Sequence, residues 1–176
     1  LVLSYVAMRK DDKAGLVTFN EYFDTFVPAS KQVGQMQTLL ENLYKQETTF
    51  GETDFSALCG HLGKHVNKRS FLVLYTNFSN MTSLNRQLVY LQQLARQHRV
   101  LVVFFEDADL KEYIAGKSVT TEDYYRHFIA EKFAFEKRLI VSTLKQHGIY
   151  SLLTTPDKLS IDVINKYLEM KSRQLL

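Results

Sequence analysis

Three apolar runs in this chain are each followed by oxygen-bearing side chains, and that arrangement is where chemistry is first to be sought. Thr76, Asn77, Ser79 and Asn80 follow the run ending at Tyr75; Glu106, Asp107 and Asp109 follow Phe105; Thr154 and Thr155 follow Leu153. A fourth polar segment, Gly51-Glu52-Thr53-Asp54, leads directly into an amphipathic stretch. Hydroxyl, amide and carboxylate oxygens are the ligands of hard cations such as Mg²⁺. The same residue types also cap helices and shape turns, so their presence alone does not separate a metal site from ordinary loop chemistry. Two readings stay open from the residues: loops that grasp another protein at Glu52, Thr53, Asp54, Asn77, Ser79, Asn80, Glu106 and Asp107, or a metal-dependent hydrolase or phosphoryl-transfer centre built on Glu106, Asp107 and Asp109.

Other reactive constellations are weaker. His61 and His65 lie four apart on an expected helix, which is zinc-ligand spacing, but Leu62 stands where a His-Glu-X-X-His motif has its glutamate. A solvated helix face explains the pair. His98 and His147 fall at expected helix C-termini, where a cation interacts favourably with the helix dipole. Gly60 to Gly63 lies inside an expected helix and lacks the Gly-Lys-Ser/Thr ending of a phosphate loop, and no serine sits on a Gly-X-Ser-X-Gly elbow. Cys59 is the sole cysteine; it excludes an internal disulfide and reads as a buried structural thiol.

The elements that must position these loops follow from periodicity. A helix over residues 1–10 precedes two strands, Gly15–Phe19 and Tyr22–Val27, whose short connection makes an antiparallel hairpin stopped by Pro28. Helices follow over Val33–Gln46, with Val33, Met36, Leu39, Leu40 and Leu43 on one side, and from Thr53 or Asp54 to Val66. Phe71–Tyr75 and Val100–Phe105 are uninterrupted apolar runs, as in parallel strands buried on both faces. Between them runs a helix over Ser83–Gln97, capped by Asn80 or Thr82. A short helix over Glu106–Ala115, a long one from about Thr120 to His147 stopped by Gly148, a strand over Ile149–Leu153, and a last helix after Thr155 and Pro156 complete the order. The long helix carries an aromatic band, Tyr124, Tyr125, Phe128, Ile129, Phe133, Phe135, Leu139 and Ile140, read mainly as core with part left as a docking surface. Strands alternating with helices require a three-layer α/β fold: a mostly parallel sheet with helices on both faces and the hairpin at its edge. Ligands of such sheets bind beyond the carboxyl ends of the strands, where the polar loops lie.

Asp11-Asp12-Lys13-Ala14-Gly15-Leu16-Val17-Thr18-Phe19, Gly51-Glu52-Thr53-Asp54-Phe55 and Arg69-Ser70-Phe71-Leu72-Val73-Leu74-Tyr75-Thr76-Asn77-Phe78 resemble, in order and spacing, the C-terminal part of the "domain of unknown function 58" family, which is similar to von Willebrand factor type A modules. The resemblance implies a metal-ion-dependent adhesion site in its complete form: an Asp-X-Ser-X-Ser motif after the first strand, a Thr from a second loop and an Asp from a third. Thr53 fills the Thr position; Asn77 stands in the Asp position and lacks its charge. The Asp-X-Ser-X-Ser motif would precede Leu1, so residues 1–176 are expected to be a single von Willebrand A-like domain without its first strand, pairing across the gap as a homo-oligomer or with its sheet rearranged. No cofactor or metal is expected in this stretch; Mg²⁺ belongs to a parent carrying the upstream motif. The resemblance also implies a MoxR-type AAA+ ATPase partner and a cytoplasmic location, with any membrane anchor upstream.

Composition bounds the partners. The 176 residues hold 45% hydrophobic and 12% aromatic side chains, enough for a core, and no apolar run long enough to span a membrane. The net charge of +3 comes from scattered Lys and Arg, which argues against nucleic acid. The expectation is therefore a non-enzymatic protein–protein interaction domain, with the metal-dependent enzyme as the alternative.

Overall fold

The computed structural model describes residues 1–20, 23–47, 53–78, 80–106 and 121–176. They belong to two compact units, Leu1–Lys68 and Arg69–Leu176, each with its own secondary structure. The fold is mixed α/β, with a two-stranded antiparallel sheet in the first unit and a three-stranded parallel sheet in the second. The hairpin is thus a sheet of its own and not an edge of the parallel one.

In the first unit, α1 (Val2–Arg9) precedes the hairpin of β1 (Ala14–Phe19) and β2 (Phe23–Ser30), followed by α2 (Gln35–Tyr44) and α3 (Phe55–His65). Strand β2 does not stop at Pro28. It continues to Ser30 because the pairing slips there: Ala14 faces Ser30 but Leu16 faces Val27, leaving an extra residue on β2 opposite Gly15. A bulge is where a strand tolerates a proline, whose missing N–H would otherwise break the ladder. The buried Gln35 stitches the bulge to α2, its Nε2 donating to Ala14 O at 2.8 Å and to Pro28 O at 3.0 Å. Ala14, Val27 and Leu39 form the core beneath, with Met8, Leu16 and Met36 against it. Helix α2 starts two residues later than its periodicity suggests, because Gly34 takes a left-handed φ of 91° as its N-cap. Val33 is left outside the helix and fully exposed, and Leu40 is exposed as well, so the apolar side narrows to Leu39 and its neighbours.

Helix α3 buries Phe55, Leu58, Cys59 and Leu62, the i, i+3, i+4, i+7 face of an amphipathic helix. Phe55 meets Phe19 edge to face at 5.4 Å between ring centroids. Cys59 is the buried thiol expected; desolvation, aided by the nearby Asp54 carboxylate, pushes its pKa up to about 11.

The second unit alternates strand and helix: β3 (Phe71–Tyr75), α4 (Met81–Gln97), β4 (Arg99–Phe105), α5 (Thr121–Gln146), β5 (Tyr150–Thr154) and α6 (Leu159–Ser172). The strand order is β3-β4-β5, all parallel. Only the central strand fulfils the expectation of burial on both faces: Val100 to Phe104 are all inaccessible to solvent, whereas β3 buries only Leu74 and leaves Tyr75 exposed. The difference is one of position, since β3 lies at the sheet edge. The two faces of β4 are covered by different helices. Phe71, which pairs with Arg99, stacks on Tyr167 of α6, placing α6 on the face of Leu101 and Val103. Lys137 of α5 lies over Phe104, on the opposite face. Helix α4 packs against α5 on that side, where Gln92 and His147 join the two by a 2.8 Å contact.

The helix ends follow their local chemistry. Asn80 forms a capping box with Ser83: its Oδ1 accepts from Ser83 N at 2.9 Å and its own N–H donates to Ser83 Oγ at 3.4 Å. Gly148, at φ 71°, ends α5, with Ile149 N reaching back to Leu144 O at 3.0 Å as in a Schellman motif. Thr155 and Pro156 do not open the last helix. They enter a turn closed by Lys158 N to Thr155 O, and α6 begins at Leu159. The expected helix over Glu106–Ala115 and the break at Gly116 lie, beyond Glu106 itself, outside the described residues.

The aromatic band of α5 is not mainly core. Ala130, Ile140 and Leu144 are its buried residues, while Tyr124, Tyr125, Phe128, Phe133, Phe135 and Leu139 are exposed. At 3.6 residues per turn, Tyr124, Tyr125, Phe128, Phe135 and Leu139 share an arc of about 100°, opposite the buried three.

The bulge makes Gly15 sensitive to any side chain, because a Cβ there would meet Val27 O at 2.7 Å and Ala29 N at 2.8 Å. Both are backbone atoms and cannot swing aside. Gly15→Ala is expected to cost about 2 kcal/mol, within the range for overpacking a tight site, read as a lowered midpoint in urea unfolding with unchanged slope.

Candidate functional site

Parallel pairing sends the carboxyl ends of β3, β4 and β5 to one edge of the second unit. Thr76 N donates to Val103 O at 3.0 Å and Glu106 N to Thr154 O at 2.9 Å, extending the ladder one residue past the strands. Asn77, Glu106 and Thr154 are therefore held at neighbouring strand tips by backbone hydrogen bonds.

At the β3 tip, Asn77 is exposed and its Oδ1 accepts a hydrogen bond from Lys137 Nζ at 2.6 Å. The same ammonium donates to Phe78 O at 2.8 Å and sits 5.5 Å from the centroid of the Phe104 ring. Phe78 is buried, so its carbonyl is fixed by the packing of its side chain. At the β5 tip the buried Thr154 turns inward, its Oγ1 donating to Asp162 Oδ2 at 2.5 Å in the first turn of α6. The β5 tip is thus committed to anchoring α6, and Glu106 is the carboxylate that the described residues place at the β4 tip.

Of the remaining residues marked by the sequence, Thr53 and Asp54 lie in the first unit. Asp54 is the N-cap of α3: its Oδ1 accepts from Ser56 N at 2.7 Å and Ala57 N at 3.2 Å, and its own N–H bonds Asn20 O at 2.8 Å. Asn80 is likewise engaged by its own helix. Thr53 is half-buried in the segment leading to that cap. Glu52, Ser79, Asp107 and Asp109 lie outside the described residues. Among the described residues no three His, Cys, Asp or Glu side chains gather to hold a metal ion. His61 and His65 stack face to face at 4.0 Å, and His65 Nδ1 contacts His61 O at 3.0 Å, so the pair packs against Phe26 and does not converge on an ion.

Among the described residues, those in contact with the Asn77 side chain do not fit Mg²⁺. That ion demands octahedral oxygen ligands at about 2.0–2.1 Å and charge neutralisation by carboxylates. Asn77 offers one neutral amide oxygen, and a positive charge is already bonded to it.

Two residues carry roles that the sequence did not reveal. Lys137 lies sixty positions from Asn77 on a different element, and its only local signal is the pair Lys137-Arg138. His98 is not a cation at a helix end. It is buried, its Nδ1 accepts from Ser70 N at 3.3 Å, and desolvation lowers its pKa. An imidazolium would lose that acceptor and strand a charge inside the unit.

The model of the family described as "Protein of unknown function DUF58" matches residues 1–119. No curated protein and no solved structure matches the chain at a significant level.

Because the folded-state pKa of His98 is lowered, its stabilising contribution is complete above the unfolded value of about 6.5 and is lost as pH falls through that value towards the folded one. Unfolding free energy is expected to drop between neutrality and pH 5, and His98→Asn, whose amide oxygen still accepts from Ser70, to flatten the drop. A pH profile of urea midpoints equally steep in the variant would refute this. Asp54→Ala is expected to cost about 1 kcal/mol through loss of the cap, a loss visible in the same titrations without any ligand present.

Proposed function

This chain belongs to the DUF58 family, and from its surface we propose that it is a non-enzymatic protein–protein interaction domain whose partner is a MoxR-type AAA+ ATPase. The observation that carries this reading is the exposed aromatic stripe of α5. Tyr124, Tyr125 and Phe128 each keep about 65% of their surface in water, and Phe135 is close behind at 62%. Tyr and Phe anchor protein interfaces because each buries a large area while ordering few torsions. A run of them on one helix face is costly to leave solvated and serves as a docking surface.

The strand-tip loops support the same reading from another side. Within the second unit, Asn80 and Thr154 spend their side chains on capping and anchoring, at the sheet edge that also carries Glu106. Choice of the ATPase rests on the resemblance stated above. Location in the cytoplasm is part of the same proposal; among the described residues no helix is long and apolar enough to cross a membrane.

Titration calorimetry of the chain against a MoxR-type ATPase is expected to show binding. Phe128→Ser/Phe135→Ser, which changes only exposed side chains, is expected to weaken it at least tenfold, about 1.4 kcal/mol, with an unaltered circular dichroism spectrum. Undiminished affinity in the variant would remove α5 from the interface, and no heat with the wild-type chain would remove the ATPase.

A further inference from the structure

We infer that the exposed stripe of α5 is self-complementary, and that in the free chain it is covered by α5 of a second copy running antiparallel. This rests on the reading of the stripe as a docking face and adds its occupant when no other protein is bound. Tyr125, Phe128, Lys132, Phe135 and Leu139 follow one another at spacings of three, four, three and four residues, and Ser142 continues the series. That is the seam of a helix that wraps around another. Every one of these side chains is exposed. Along one flank of the seam stand Tyr124, Glu131, Arg138 and Lys145, each seven residues from the next and exposed as well.

The charges select one arrangement. A parallel pair would face Lys132 with its own counterpart in the middle of the seam. In an antiparallel pair, a two-fold axis at the midpoint of α5, between Phe133 and Ala134, lets the whole helix Thr121–Gln146 overlap over about 39 Å. The seam layers then match Phe128 with Leu139 of the second copy, and Lys132 with its Phe135, a cation over an aromatic face. The flank meets the same flank of the mate, as a two-fold interface requires. There Glu131 faces Arg138 on both sides of the axis, and Tyr124 faces Lys145. Sliding by one heptad sets Glu131 against Glu131 in one direction and Arg138 against Arg138 in the other. Opposed like charges exclude such registers. Within its own helix Glu131 approaches His127 at 3.5 Å yet keeps 58% of its side chain exposed. Arg138 donates to Ala134 O through Nε at 3.4 Å and likewise stays at the surface.

The area is of the right order. Tyr124, Tyr125, Phe128 and Phe135 each leave about two-thirds of their surface in water, which amounts to roughly 400–650 Å² for the four. With the flanking charged side chains this approaches the 800 Å² or so per partner of a standard interface. Another protein docking on the stripe then competes with the second copy.

The test is sedimentation velocity of the whole chain at about 10–100 µM, in the wild type, Glu131→Arg, Arg138→Glu, the double swap Glu131→Arg/Arg138→Glu, and an equimolar mixture of the two single variants. The wild type is expected to sediment as a dimer. Each single variant sets like charges opposite one another and is expected to dimerise at least tenfold more weakly, about 1.4 kcal/mol, with an unaltered circular dichroism spectrum. The double swap and the mixture restore opposite charges at every level and are expected to recover the dimer. A monomeric wild type, single variants that dimerise as the wild type does, or a mixture no better associated than its components would each overturn the inference. Calorimetry against the ATPase separates this from the functional reading. Heat with a wild type that sediments as a monomer overturns the antiparallel pair alone, whereas a dimer that gives no heat removes the ATPase and leaves the pair standing.

Discussion

Burial of β4 on both faces is the constraint on which the second unit rests. Val100, Leu101, Val102, Val103 and Phe104 are withdrawn from water together, each side chain worth about 1.5–3 kcal/mol relative to exposure. A strand with two apolar faces needs a cover on each. Its neighbours in the sheet are parallel, so each connection must cross over a face, and in this unit helices make the crossings. The placement of α4 and α5 on one side and α6 on the other follows from that requirement. So does the gathering of every strand-to-helix loop at a single edge, which is what brings Asn77 and Glu106 to adjacent strand tips without any contact between their own side chains being needed.

Much of this was legible in the chain. Six uninterrupted apolar residues from Val100, bounded by His98-Arg99 and Glu106, read as a buried strand because no amphipathic period competes there. Asn80 with Ser83, and Gly148 after a long helical period, carry their stop and start signals locally. What was illegible depends on neighbours distant in sequence. Phe71–Tyr75 has the same apolar composition as β4, yet its burial is set by lying at the edge, a fact no local pattern encodes. The bulge that carries β2 through Pro28 exists because Gly15 allows the facing backbone to approach, and Gln35 satisfies the carbonyls of Ala14, twenty-one residues before it, and Pro28.

The candidate site shows the same division. Its backbone placement was foreseeable from topology, since any parallel sheet collects its loop oxygens at one edge. Its electrostatics were not. Composition treats Lys137 as one of 22 scattered cations, and nothing in the residues around it points to Asn77. His98 misled in the opposite direction. Its place at a helix C-terminus suggests a stabilised imidazolium, but the next residue enters β4, and burial beside Ser70 outweighs the dipole. A dipole contributes about 0.3–1 kcal/mol near a surface, whereas an unpaired buried charge costs several.

The α5 helix sets these themes against each other. Its two faces do opposite work. On the buried side Ala130, Ile140 and Leu144 pack and Lys137 reaches the β3 tip; on the other, Tyr124, Tyr125, Phe128 and Phe135 stand in solvent. The hydrophobic period alone could not separate them, because apolar residues fall on both of these faces of the helix. The discriminating feature is the lysine. A charged side chain at the angular position of Ile140 and Leu144 is tolerated only with partners, and Asn77 and Phe78 supply them. The face opposite a satisfied lysine is then the face left over. The aromatic stripe on that leftover face is carried by the same helix whose Lys137 bonds Asn77 and Phe78.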